Sequence, residues 1–118
     1  MSGPAAATTW LLAAAAVLCN AGAQLLMKRA GIQDGGNWRA WLNPWLASAL
    51  VLYGISFGVT ALVYARLPLT VASPAMAGAI FVLISAFSVL FLGESLGAAK
   101  LAGMALIVGG IVLLARSA

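Results

Sequence analysis

Thr70-Val-Ala-Ser-Pro-Ala-Met-Ala-Gly-Ala-Ile-Phe-Val-Leu-Ile-Ser-Ala-Phe-Ser-Val-Leu-Phe-Leu92 contains no charged residue, and its apolar side chains do not thin out on any helical face. A helix that crosses the hydrocarbon of a bilayer needs about 20 such residues, and a stretch that is apolar all round has no face to turn to water. Three further uncharged segments repeat the pattern, Thr8–Met27, Trp45–Ala65 and Leu101–Ala115. The composition agrees: 64% of the residues are hydrophobic and 7% charged, with a mean hydropathy of +1.12, which is far from the globular norm. The reading is an all-α, polytopic membrane protein. One four-helix transmembrane domain spans residues 1–118, with helices over about residues 8–28, 45–66, 70–92 and 98–115, packed as a compact bundle. So little hydrophilic sequence is left over that a separate soluble catalytic domain is not expected.

The first segment lacks the basic n-region of a signal peptide and its apolar run is too long for an h-region, so it reads as a retained span. Cys19 follows the bulky Leu18, where a lipoprotein attachment site needs a small residue. It reads as a buried thiol, and a single cysteine leaves no internal disulfide framework. The formal charge of +4 comes from cations at segment ends, namely Lys28, Arg29, Arg39, Arg66, Lys100 and Arg116. Such cations point to headgroups and orientation and away from nucleic acid. Four of them fall on the side of the first and third loops against two on the other, a bias toward both termini outside.

Turn residues set the boundaries. Gly31-Ile-Gln-Asp-Gly-Gly-Asn37 is a linker, Asn43-Pro44 suits a helix start, Leu67-Pro68 separates the second and third spans, and Gly93-Glu-Ser-Leu-Gly97 precedes the fourth. Pro74 falls near the start of span three, in its first turn or at a kink. Trp38, Trp41 and Trp45 suit an interfacial aromatic belt.

Function in such a chain has to be sought in polar groups within hydrocarbon, where each is costly unless partnered or wetted. Asn20, Gln24 and Lys28 recur every four residues and share an arc of roughly 80° on the first helix. Tyr53, Ser56, Thr60 and Tyr64 form a second such stripe on span two, and the two stripes suit the lining of one cavity for a polar headgroup. Plain interhelical hydrogen bonding is the alternative for these amides and hydroxyls. Ser85, Ser88 and Gly78 read as small-residue packing positions on span three.

No His, Asp or Glu lies in any span, so proton coupling through a membrane carboxylate is not expected. Glu94, in the turn before span four, is expected to cap that helix or pair with Lys100. No nucleophile–base pair, metal-ligand cluster or phosphate-cradling loop is present, and the chain is read as a non-enzyme without metal or cofactor.

Four stretches, in order, resemble the drug/metabolite transporter superfamily of EamA-like and small multidrug resistance-like four-helix proteins. They are Asn20-Ala-Gly-Ala-Gln-Leu-Leu-Met-Lys28, Leu67-Pro-Leu-Thr-Val-Ala-Ser-Pro74, Gly93-Glu-Ser-Leu-Gly97 and Gly103-Met-Ala-Leu-Ile-Val-Gly-Gly-Ile-Val112, the last similar to the dimer-forming stretch of the small multidrug exporters. Those exporters carry an essential glutamate where this chain has Asn20, and an amide cannot exchange protons there. The glutamate-free first helix looks more similar to the paired subunits that flip aminoarabinose-modified undecaprenyl phosphate in lipid A modification. The resemblance implies a flippase subunit in the bacterial inner membrane, acting as a homo- or heterodimer with a similar four-helix subunit. Asn20 and Gln24 would contact sugar or phosphate, with Tyr53, Thr60 and Tyr64 completing the site and Lys28 or Arg66 holding phosphate near an interface. Membrane lipids would hold the polyprenyl tail. Gly103, Gly109 and Gly110 would form the dimer contact, and inverted pairing would place an alternating-access site at mid-membrane. Ser73 departs from the pattern, since both groups commonly have an aromatic residue after the proline turn. Two other readings stand beside this one, a small-solute or cationic-drug transporter and a non-transporting membrane partner subunit.

Overall fold

A polar backbone can cross hydrocarbon only if its own hydrogen bonds are closed within the segment, and each of the four apolar stretches does this as a helix. The structure, a computed structural model, describes residues 4–32 and 35–116. Its elements are α1 (Pro4–Ala30), α2 (Pro44–Tyr64), α3 (Leu69–Leu92) and α4 (Ala98–Arg116), with a short 3₁₀ turn over Trp38–Trp41 between α1 and α2. All four helices are long and apolar enough to cross a membrane. No strand occurs among the described residues. This is a multi-pass helical bundle, measuring 48 × 35 × 22 Å.

The sequence-based boundaries hold within a few residues, and the largest difference is at α1, which starts four residues earlier than the apolar run at Thr8. The start of α2 is built as its sequence suggests. Asn43 is the N-cap, with its Oδ1 accepting from the backbone N–H of Trp45 and Leu46 and Pro44 in the first turn. Asn43 Nδ2 also donates to the Ala30 carbonyl at 3.1 Å, so one side chain closes the start of α2 and the end of α1. Gly31 and Gly93 adopt φ of 58° and 68°, left-handed conformations that let the chain leave α1 and α3. Pro74 lies inside α3, beyond its first turn. In the α1–α2 linker, Gln33 and Asp34 are outside the described residues.

Helix α1 is the hub, packed on both α2 and α3, while α4 packs chiefly on α3. The reason lies in α1's alanines: Ala13, Ala16, Ala21 and Ala23 are buried, and small side chains let helices approach closely where no hydrophobic drive separates protein from lipid. Ala13, Ala16 and Val17 meet Val63, Ala72 and Met76 in the central cluster. Gly78 serves α3 against α4 in the same way, since a Cβ there would fall 2.4 Å from Ile111 Cδ1 and 2.9 Å from Ile107 Cγ2. Ser85 satisfies its hydroxyl within α3, donating to the Phe81 carbonyl at 3.0 Å. The large side chains Leu11, Phe57, Leu106 and Leu113 point outward, as a lipid-facing surface requires.

Candidate functional site

The antiparallel path of the helices puts Lys28, Arg29, Arg39 and Lys100 at one end of the bundle and Arg66 and Arg116 at the other. At the first end the Arg29 guanidinium lies 5.9 Å from the Trp45 ring centroid and reaches the Phe91 carbonyl at 3.5 Å, touching elements α1 to α3. Arg39 sits 5.5 Å from the ring of Trp38, a cation–π distance, and Trp41 Nε1 donates to the Gly35 carbonyl at 3.2 Å. Indoles and guanidiniums at one level of a helical bundle suit the headgroup region.

Between α1 and α2 lies an open cleft of about 590 Å³, lined by Asn20, Tyr53, Ser56, Phe57, Thr60 and Tyr64 among others. The polar stripe of α2 therefore does meet α1 through Asn20. Within that stripe Ser56 is set apart by its burial, and its Oγ donates to the Ala16 carbonyl at 2.9 Å, clasping the two helices. The remaining polar groups are unspent. The hydroxyls of Tyr53, Thr60 and Tyr64 and the Asn20 Nδ2 make no hydrogen bond within the protein among the described residues, and all four residues line the cleft. By contrast, no buried side-chain nitrogen or oxygen there lacks a partner. The chain thus satisfies its enclosed polar atoms and leaves these four open to whatever enters.

Gln24 is one turn away, and its Nε2 donates to Asn20 Oδ1 at 2.8 Å. This bond runs along α1, not between helices, and fixes the Asn20 amide with its N–H₂ free. The rest of the α1 stripe turns away from the cleft. Gln24 and Lys28 line a second cavity, on the α3 side, together with Ser88 and Glu94. Arg66 is exposed at the far end of α2, about 30 Å of helix rise from the Lys28 end. Lys28 and Arg66 therefore lie at opposite ends of the bundle. Gly103, Gly109 and Gly110 have open space around them, on a helix with no buried residue.

Phe57, Gly54 and Ala61 also line the cleft. Sequence reasoning passed over them because apolar residues on an apolar helix carry no signal, although the spacing from Tyr53 to Tyr64 brackets them. Glu94 does not take the role expected of it: Lys100 Nζ donates to the Ser95 carbonyl at 3.0 Å, and the Glu94 carboxylate neither pairs with Lys100 nor caps α4.

Compared with known proteins, the chain is 33% identical over 100 residues to the uncharacterized protein y4nH of Sinorhizobium fredii, covering 85% of this chain and 81% of that protein. This chain belongs to the same family as y4nH. No protein-family model matches the chain, and no solved structure does. The aligned length takes in most of this chain's bundle.

Proposed function

We propose that the protein is a flippase-type transporter subunit of the drug/metabolite transporter superfamily, moving the polar headgroup of an amphipathic, lipid-linked substrate across the bacterial inner membrane. The observation that carries this reading is the α1–α2 cleft with its four unspent polar groups, Asn20 Nδ2 and the hydroxyls of Tyr53, Thr60 and Tyr64. Polar side chains within hydrocarbon are costly unless partnered or wetted, so a cleft that gathers them is a candidate binding site. Its volume falls within the range of ligand pockets. The headgroup enters from the lipid side, exchanges water for these donors and acceptors, and leaves its apolar tail in the bilayer. No carboxylate lines the cleft, so the phosphate of a polyprenyl-linked sugar such as undecaprenyl-phosphate-aminoarabinose meets no like charge there. Arg66 would draw the phosphate at its end of the bundle. A second, similar four-helix subunit would seat on α4 through Gly103, Gly109 and Gly110 and close the pathway.

The aromatic faces of Tyr53, Phe57 and Tyr64 in the same cleft support a second reading, transport of a hydrophobic organic cation held by cation–π attraction. Liposomes containing the protein and any co-purifying subunit separate the two. The flippase reading expects accelerated flipping of a polyprenyl-phosphate sugar, reduced roughly tenfold or more in Asn20→Ala/Gln24→Ala through the loss of the Asn20 contact and of the Gln24 amide that orients it. Saturable uptake of a lipophilic cation without lipid flipping would establish the second reading. Failure of both leaves the chain as a non-transporting partner of another membrane protein.

A further inference from the structure

Lys28 lies in the last turn of α1, and Glu94 follows Gly93 at the end of α3, its backbone N–H donating to the Ser88 carbonyl at 3.1 Å. The two residues stand at the same end of the bundle, the end that carries Trp38, Trp41 and Trp45. With Gln24 and Ser88 they line a cavity of about 180 Å³ between α1 and α3, walled on its apolar sides by Leu25 and Phe87. Neither the Lys28 ammonium nor the Glu94 carboxylate has a hydrogen-bond or ion-pair partner among the described residues, and they do not pair with each other. An opposite pair of charges sharing one small cavity while staying apart matches a ligand that carries both signs. Headgroup depth makes a lipid the natural source of that ligand.

We propose that this cavity holds the headgroup of an ethanolamine phospholipid, with the phosphate on Lys28 and the primary ammonium on Glu94. Gln24 keeps one amide N–H after bonding Asn20, and with the Ser88 hydroxyl it donates to the phosphoryl and ester oxygens. A choline headgroup has no N–H to give Glu94, and a glycerol headgroup offers it hydroxyls but no cation, so both are disfavoured. The site is on the α3 side of α1, apart from the α1–α2 cleft, and it does not rest on the transport reading. It does touch it: Gln24 lines the lipid cavity while holding Asn20 in the cleft, so an occupant that orients Gln24 also orients Asn20.

The test is native mass spectrometry of the full chain equilibrated with equimolar ethanolamine, choline and glycerol phospholipids of matched acyl chains. Wild type is expected to retain the ethanolamine lipid about tenfold over either competitor. Glu94→Gln should bring that preference near parity while total lipid retention persists, and Lys28→Gln should lose retention at the site, with Lys28→Arg restoring it. Thermal melts of each variant in detergent separate site loss from unfolding. Parity in the wild type, or an unchanged preference in Glu94→Gln, overturns the proposal. Displacement of the lipid by free phosphoethanolamine at equal concentration also overturns it and makes the cavity a site for a soluble zwitterion. Flipping assays on Tyr53→Phe/Tyr64→Phe report on the cleft alone, since both residues line it and neither lines the lipid cavity, so the two ideas fail separately.

Discussion

Ser56→Ala removes the hydroxyl that crosses from α2 to donate to the Ala16 carbonyl. Interhelical bonds of this kind contribute about 0.6 to 2 kcal/mol, and that is the loss expected in an unfolding equilibrium measured in mixed micelles. Thr60→Ala, whose hydroxyl has no partner among the described residues, is expected to leave stability within about 0.5 kcal/mol while weakening substrate retention. Two hydroxyls one turn apart on the same stripe thus separate by consequence, a division that helical spacing alone cannot make. Gly78→Ala tests the opposite kind of residue. Its new Cβ would meet Ile111 Cδ1 and Ile107 Cγ2, so overpacking should cost roughly 1 to 3 kcal/mol, and adding Ile111→Ala should return most of it in a double-mutant cycle.

At the scale of the element, Asn43 joins two helix ends with three hydrogen bonds, two to the first N–H groups of α2 and one to the Ala30 carbonyl of α1. Asn43→Ala should lower stability by about 1 kcal/mol or more through the lost cap, and amide exchange should rise first in the first turn of α2. Asn43-Pro44 announced this boundary in sequence because capping is local chemistry. Helix α4 behaves differently. It has no buried residue, and its glycines face open space, so Gly109→Leu should leave the fold of the single chain unchanged. If α4 is the seat of a partner subunit, the same substitution should abolish dimers in crosslinking or native mass spectra. Persistence of dimers would place the contact elsewhere.

Over the whole molecule, the number and extent of the helices were legible because hydrocarbon imposes one solution on a long uncharged run. The division of the α1 stripe was not. Asn20, Gln24 and Lys28 advance about 40° per step around the helix, and whether an 80° arc faces one neighbour or spans two depends on where α2 and α3 sit. Since α1 is central, Asn20 joins the α2 cleft while Gln24 and Lys28 line the α3 cavity. Glu94 escaped for the same reason, as its proximity to Lys28 is a product of tertiary packing and its sequence neighbours suggested only Lys100. The unspent donors of the α1–α2 cleft remain the centre of the functional account. They are tested most directly by native mass spectrometry of the protein supplied with a polyprenyl-phosphate sugar. Retention by the wild type, lost in Asn20→Ala/Gln24→Ala and in Tyr53→Phe/Tyr64→Phe, is the predicted result, whereas equal retention by these variants would contradict it.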